Sequence, residues 1–83
     1  RKAEILKAIA HPVRLSIIRD LVENGEKAAG DLDTGIKLSS ASVSQHLTRM
    51  SQTGIFIKRR KGTYIYYTLI NDDRVAELIK AFL

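Results

Sequence analysis

Residues 38–50 read LSSASVSQHLTRM, and this stretch decides the fold. Val43, Leu47 and Met50 recur at the spacing of one helix face, which predicts a helix with an apolar stripe turned toward a core. The far side carries short side chains, one amide and one guanidinium, from Ala41, Ser42, Gln45, Thr48 and Arg49. A helix fits the major groove of B-DNA, where an amide or a guanidinium can read base edges. The stretch therefore predicts either a DNA-reading helix or a solvated helix that is simply rich in serine.

The residues before this stretch predict three more helices. The first covers residues 1–10, and the second begins at Pro12, whose missing N–H would be unpaired in a first turn. It ends at Asn24-Gly25, because both residues tolerate the left-handed closing conformation. A third helix of about two turns is expected over residues 27–34, although Gly30 weakens it by about 1 kcal/mol relative to alanine.

The helix predicted from the stretch at residues 38–50 is expected to extend over about residues 39–53, with the Ser39 hydroxyl as its N-cap. Two helices joined by a tight turn that contains glycine form the helix-turn-helix pattern. After Gly54 the hydrophobic period changes to two, which predicts a β-hairpin over about residues 55–69 with its tip at Lys61-Gly62-Thr63. On its first strand, one face is expected to carry Ile55, Ile57 and Arg59.

A last helix follows, with Asn71 as its expected N-cap. The first and last helices carry more apolar surface than one small core needs, and pairing of two chains would bury it. The alternative is that these side chains all enter the core of a single chain. They are Ile5, Leu6, Ile9, Val75, Leu78, Ile79 and Phe82. The element order is helix-helix-helix-helix-hairpin-helix, which predicts a mainly α winged helix-turn-helix with a β-hairpin wing.

Composition fits one small domain over residues 1–83, with 45% hydrophobic residues and a net charge of +5. Between Asp33 and Asp72 the chain has six basic residues and no acidic one. Such a one-sided field attracts a polyanion, although a solvated basic patch would have the same composition. There is no cysteine, and no apolar run approaches the about 18 residues that span a membrane. We expect a cytoplasmic protein without a membrane partner, trimmed at its start because it begins with Arg1.

Three blocks of the sequence resemble the signature blocks of the ArsR/SmtB family. They are AIAHPVRLSII at residues 8–18, LSSASVSQHL at residues 38–47 and RRKGTYIYYTL at residues 59–69. They stand in the family's order and spacing along essentially the whole chain, and they are most similar to the branch with HlyU- and NolR-like repressors. The resemblance implies a homodimeric transcriptional repressor that binds an imperfect palindrome in double-stranded DNA.

The family's roles can be transferred onto matching positions of this chain. The base-facing positions of the recognition helix correspond to Ser40, Ala41, Ser42, Ser44 and Gln45. The wing positions that touch the DNA backbone or the minor groove correspond to Arg59, Arg60, Lys61 and Gly62. We also expect backbone contacts from Thr48, Arg49, Lys58 and Thr63. The first and last helices match the family's dimer interface.

The chain departs from the sensing relatives of this family. The segment EKAAGDL at residues 26–32 lacks the two cysteines of the metal-binding block, and Arg19 stands where redox sensors have a cysteine. The last helix has no histidine. We therefore expect neither metal nor thiol sensing, no cofactor and an unknown inducer. His46 is expected to be a structural histidine, and His11 a residue of a helix junction.

The tyrosines of the hairpin, Tyr64, Tyr66 and Tyr67, are divided between two faces by strand alternation, which favours packing over base stacking. No phosphate loop, catalytic cysteine or nucleophile elbow is visible, so an enzyme is not expected. Two other functions stay open: a winged helix that binds a protein instead of DNA, and a DNA-binding protein without a preferred site.

Overall fold

A computed structural model describes residues 2–83; Arg1, the first residue of the predicted first helix, lies outside them. Within residues 2–83 there are four α-helices and three β-strands. They are α1 (Lys2–Ile9), α2 (Pro12–Asn24), β1 (Lys27–Ala28), α3 (Ser40–Ser51), β2 (Phe56–Lys61), β3 (Tyr64–Leu69) and α4 (Asp73–Lys80). A single 3-10 turn, Ala29–Asp31, follows β1. The predicted class, a winged helix with a hairpin wing, is confirmed.

The residues at the two ends of α2 determine where this helix begins and ends. Pro12 occupies the first helical position, and Nδ1 of His11 accepts a hydrogen bond from the Val13 amide at 3.2 Å. At the other end, the Gly25 amide donates to the Leu21 carbonyl at 2.9 Å, with Gly25 at φ +75°. The expectation that His11 belongs to a helix junction is confirmed.

The core is formed by apolar side chains from all four helices and from the sheet. Leu47 and Met50 of α3 are buried in it and Val43 packs against it, as their spacing predicts. The fully buried large side chains are Ile5, Ile9, Ile17, Ile18, Met50 and Ile55. Because α1, α2 and α3 all contribute to this set, the position of α3 is determined by packing on both earlier helices.

The predicted helix over residues 27–34 is wrong. Lys27 and Ala28 instead form β1, which pairs antiparallel with Tyr67 and Tyr66 of β3, and the 3-10 turn follows. Gly30 and the shortness of the segment disfavour an α-helix, whereas pairing with β3 satisfies the backbone groups of β1. Ala28 and Leu32 of this segment are both buried.

The expectation of excess apolar surface on the first and last helices needs correction. Four of the seven side chains assigned to a dimer interface, Ile5, Ile9, Val75 and Ile79, are between 0 and 6% exposed in the single chain. α1 and α4 bury them in the core of the single chain. Leu6 and Leu78 are half-buried and Phe82 is 39% exposed, so only these three remain available to a partner.

The sheet has the strand order β1-β3-β2, so β2 lies at an edge. Arg59 of β2 pairs with Tyr66 of β3, and a two-residue loop, Gly62–Thr63, joins the strands. Gly62 has φ +63°, which fits a type II′ turn with glycine at its first central position. The pattern of residues on β2 does not show which face is inward: Phe56 packs against the core, whereas Ile57 is 53% exposed.

The first turn of α4 also differs from the prediction. The N-cap is Asp72, whose Oδ1 accepts hydrogen bonds from the amides of Arg74 at 2.9 Å and Val75 at 3.4 Å. Asn71, the expected cap, lies one residue outside. A carboxylate at this position also interacts favourably with the positive end of the helix dipole, which explains why Asp72 is preferred.

Replacing Gly35 by alanine is expected to destabilise the turn that leads into α3. Gly35 has φ +78°, and a Cβ there would lie 2.7 Å from Oγ of Ser16. The left-handed conformation alone costs alanine about 1–2 kcal/mol. Chemical denaturation should report this loss in the free energy of unfolding. A second change, Ser16→Ala, should recover only the steric part.

Gly30→Ala provides the matched control for this prediction. Gly30 lies in the same connection, but a Cβ there meets nothing within 4 Å and its φ is not in the left-handed range. We expect an effect near zero or a small gain in stability. Equal losses at Gly35 and Gly30 would contradict the assignment of strain to Gly35.

Candidate nucleic-acid interface

The outer face of α3 is a continuous polar surface. Ser39 caps the helix, and its Oγ accepts the Ser42 amide hydrogen bond at 3.1 Å. α3 contains no acidic residue, so no carboxylate on this helix would repel a polyanion. The exposed side chains on the helix are Ser40, Ala41, Ser44, Gln45, Thr48 and Arg49.

Ser42 is the exception among the side chains assigned to base reading. It is half-buried, and its Oγ accepts a hydrogen bond from Oγ of Ser39 at 3.2 Å. The Ser42 side chain therefore takes part in the cap of the helix. The other four residues assigned to base reading lie exposed on the helix surface.

The hairpin carries its basic side chains in solvent. Lys58, Arg60 and Lys61 are exposed, as are Gly62 and Thr63 at the tip. Strand alternation places Arg60 on the opposite face of β2 from its two neighbours, Arg59 and Lys61. The wing therefore presents positive charge on both of its faces and at its tip.

Arg59 is exposed but has a carboxylate partner. Its Nε and Nη2 donate to the two carboxylate oxygens of Glu26 at 3.1 and 2.8 Å, and its guanidinium lies 5.2 Å from the Tyr66 ring centroid. The hydrogen bond from Arg59 lowers the pKa of Glu26, and the same bond raises the pKa of Arg59. Of the four consecutive basic residues, Arg59 is thus held against the body of the molecule.

A groove separates the first half of α3 from the tip of the wing. Its volume is about 590 Å³, and Ser40 and Ser44 line it from the helix, Thr63 and Tyr64 from the wing. Lys37, in the connection before α3, also lines it. The helix and the wing therefore border one surface, although they are separate in the sequence.

Two residues of this groove are not evident from the sequence. Lys37 is a single basic residue between two apolar ones, which does not indicate a binding site. The alternation of residues along the strand predicts that Tyr64 packs against other residues of the protein. Tyr64 is instead 64% exposed, whereas Tyr66 is half-buried and Tyr67 is 8% exposed and buried in the core. The predicted division of the tyrosines between two faces is correct, but packing accounts for Tyr66 and Tyr67 only.

His46 is a structural residue, as predicted. It is half-buried on α3, and its Nδ1 accepts a hydrogen bond from Nε of Arg14 at 3.1 Å. Its ring centroid lies 4.8 Å from that of His11, with the rings tilted by 54°. Burial lowers the pKa of His46, and the neighbouring Arg14 and His11 lower it further.

A buried carboxylate holds the segment that leads into α3. Asp20 of α2 is 5% exposed and accepts hydrogen bonds from Asn24 Nδ2 at 2.7 Å, Lys27 Nζ at 3.0 Å and the Asp33 amide at 2.8 Å. Burial alone would raise the pKa of Asp20, but these hydrogen bonds outweigh it and the pKa is lowered. Asp20 thus connects α2, β1 and the turn before α3.

Two kinds of feature are absent from the described part of the chain. Residues 2–83 contain no group of three or more histidine, cysteine, aspartate or glutamate side chains that could hold a metal ion. None of the helices described in this range is long and apolar enough to cross a membrane.

An exposed polar helix, a turn fixed onto the preceding helix and a basic hairpin that borders the same groove define a winged helix-turn-helix protein. A family model described as a helix-turn-helix domain matches residues 9–60. The chain belongs to this helix-turn-helix family, within its ArsR/SmtB-type repressors.

Relatives of this chain include a protein named as a transcriptional repressor. The transcriptional repressor PagR of Bacillus anthracis is 40% identical over 79 residues, which cover 94% of this chain and 77% of PagR. HlyU from Vibrio cholerae superposes with a TM-score of 0.81 at 33% identity, covering 98% of this chain and 87% of HlyU. NolR from Sinorhizobium fredii gives a TM-score of 0.80 at 35% identity, covering 96% of this chain and 78% of NolR.

Proposed function

We propose that residues 1–83 form a single DNA-binding domain of a cytoplasmic transcriptional repressor, which is not an enzyme and binds a palindromic operator as a homodimer. One observation carries the proposal. An α-helix with no acidic residue presents small polar side chains and an amide beside a basic wing. The relative PagR is itself described as a transcriptional repressor.

In this proposal α3 enters the major groove of the DNA. The small side chains of the first two turns allow its backbone to approach the base edges, and the Gln45 amide can make two hydrogen bonds to one adenine. Base reading is assigned to Ser40, Ala41, Ser44 and Gln45, with Ser42 supporting them through the cap.

The wing is assigned to the DNA backbone and the neighbouring minor groove. In DNA, a sugar-phosphate strand runs between the major groove and the neighbouring minor groove. With α3 in the major groove and the wing at the minor groove, this strand would lie in the protein groove between α3 and the wing. Lys37 and Tyr64 line that groove and are added to the backbone contacts. The other residues assigned to backbone contacts are Thr48, Arg49, Lys58, Arg60, Lys61, Gly62 and Thr63. Arg59 can contact the backbone as well once its ion pair with Glu26 is broken.

The dimer interface is assigned to the outer side of α1 and α4. Leu6, Leu78 and Phe82 retain exposed apolar surface there, and Leu83 is 44% exposed beside them in sequence. A shallow hollow of about 480 Å³ opens between the two helices. Pairing at this face would place two copies of α3 on successive major grooves, about 34–36 Å apart. The buried residues Ile5, Ile9, Val75 and Ile79 would support the interface from beneath.

Selection of bound sequences from a random DNA pool tests the proposed function. The expected product is a palindrome with half-sites about one helical turn apart, bound by two chains at physiological salt. Recovery of bound DNA without a common site would favour a non-specific DNA-binding protein. The absence of any gel shift at micromolar protein would favour a winged helix that binds proteins.

Arg60→Ala is expected to weaken binding to all DNA by a similar factor. Arg60 is exposed on the wing and forms no ion pair with a carboxylate of residues 2–83, so it is free to contact a phosphate. Losing one phosphate contact in each chain should reduce the slope of log K against log salt by about 2 per dimer. Titrations of selected and random DNA at several salt concentrations measure both effects.

Arg19→Ala is the charge-matched control for the wing. Arg19 is exposed on α2 and lies on neither α3 nor the hairpin. Its removal should leave the salt slope almost unchanged. Equal effects of the two variants would mean that net charge, rather than a contact at the wing, determines DNA affinity.

A further inference from the structure

Three side chains meet where α1 ends, α2 begins and α3 passes over both. Arg14 of α2 donates from Nε to Nδ1 of His46 at 3.1 Å, and from Nη1 to the Ala8 carbonyl at 2.9 Å. His11, the N-cap of α2, stacks its tilted ring against that of His46. Arg14 therefore connects the end of α1 to the middle of α3.

The contact to His46 depends on the protonation of one nitrogen. Nδ1 accepts a hydrogen bond only when it carries no proton, so the contact requires neutral His46. A proton on His46 would change Nδ1 from an acceptor into a donor. It would also place two positive charges at hydrogen-bonding distance, which repel each other.

We propose that Arg14 and His46 are positioning residues: their hydrogen bond holds α3 in the orientation that reads bases, and protonation of His46 releases it, so that specificity for the operator falls on acidification. The inference rests on the proposed function. His46 directly follows Gln45 in α3, so a rotation of the helix at His46 moves the amide assigned to base reading.

The groups that act directly on His46 both oppose its protonation. They are Arg14 and His11, which face His46 from the start of α2. Arg49 on α3 acts on Arg14, whose pKa is lowered first by burial and then by Arg49. α1 contributes the Ala8 carbonyl, while Lys7 on α1 and Asp31 on the 3-10 turn are exposed. A second positive charge would therefore be unfavourable at this site.

The direction of the pH effect follows from the pKa of His46. That pKa lies below the ordinary value of about 6.5, because burial and the neighbouring Arg14 disfavour the charged form, with a further contribution from His11. The contact is therefore intact at neutral pH. It is lost as the pH falls below about 6.5 and passes through the lowered pKa.

The test compares the affinity for the selected palindrome with the affinity for random DNA, from about pH 7.5 to about pH 5. We use the ratio of the affinity for the palindrome to the affinity for random DNA, because the positive charge that the protein gains on acidification strengthens binding to all DNA equally. For the unaltered chain we expect the ratio to fall by about tenfold over this range. His46→Asn keeps an acceptor oxygen that does not titrate, and its ratio should stay constant.

Two further variants separate His46 from its neighbours. His11→Asn removes the neighbouring imidazole but keeps a strong N-cap. Because His11 opposes protonation of His46, the fall in the ratio should remain and should occur at a higher pH than in the unaltered chain. Arg14→Lys keeps the charge but replaces two donor nitrogens with one, which cannot lie at the positions of both Nε and Nη1. The ratio of this variant should therefore already be low at neutral pH. Far-UV circular dichroism verifies that each variant is folded.

The proposal is overturned if His46→Asn retains the full pH dependence, or if His11→Asn abolishes it. Should His46→Asn fail to fold, a ratio for Arg14→Lys equal to that of the unaltered chain at neutral pH would overturn it. Failure of the proposed function is a different result, because the unaltered chain would then show no preference for any DNA at neutral pH.

Discussion

Replacing Gln45 by alanine is expected to abolish the preference for one base pair in each half-site of the operator. Gln45 is exposed on α3, on the same stripe as Ala41 and Thr48, and its amide is free of hydrogen bonds to other side chains of residues 2–83. A bidentate contact between an amide and adenine discriminates against the wrong base by about 1–3 kcal/mol. Two half-sites double the loss, so affinity for the full palindrome should fall by about 2–6 kcal/mol. Affinity for random DNA should barely change.

Competition titrations with single-base variants of the selected site measure this effect. Gln52→Ala serves as the control, because Gln52 is an exposed amide about two turns further along, at the C-cap of α3. Residues near the start of a recognition helix contact base edges, so Gln52 should contribute little. An equal loss on every sequence for Gln45→Ala would mean that Gln45 contacts the backbone and reads no base.

Replacing Asp20 by alanine is expected to destabilise the fold more strongly than Gly35→Ala. The change leaves the Asp33 amide, Asn24 Nδ2 and Lys27 Nζ without their shared acceptor. Unsatisfied donors of this kind are costly, although partial exposure of Lys27 reduces the penalty. We expect a loss of about 2–4 kcal/mol in the free energy of unfolding.

Urea denaturation of the Asp20→Ala variant measures this loss, with Asp31→Ala as control because Asp31 is exposed. The lowered pKa of Asp20 gives the effect a pH dependence. Its contribution is complete above the unfolded pKa of about 3.9 and disappears as the pH falls through the lower folded pKa. The difference in the free energy of unfolding between the variant and the unaltered chain should therefore become smaller at acidic pH. A constant difference would show that the carboxylate charge is not responsible.

Local patterns in the sequence are sufficient to predict the features that depend on neighbouring residues. The apolar stripe of α3 and the Ser39 cap follow from helix geometry alone. Gly62 likewise determines where the hairpin turns. The wing and the recognition helix can therefore be located along the chain from residue spacing and turn chemistry.

Features that depend on distant residues cannot be predicted in this way. β1 exists because Lys27 and Ala28 pair with strand residues about 40 positions later, which no local pattern reveals. Asp20 has the sequence context of an ordinary polar residue of α2, since two of its three partners, Lys27 and Asp33, lie outside that helix. Lys37 and Tyr64 escape prediction for the same reason, because the groove they line forms only when the wing folds beside α3.

The position of β2 at the edge of the sheet has a consequence for the concentrated protein. An exposed edge strand offers unpaired amides and carbonyls to any other extended chain, which is a route to aggregation. Here that edge consists largely of Lys58, Arg59, Arg60 and Lys61. Two such edges repel each other electrostatically, so the charges that we assign to DNA also keep free copies of the protein from joining through their wings.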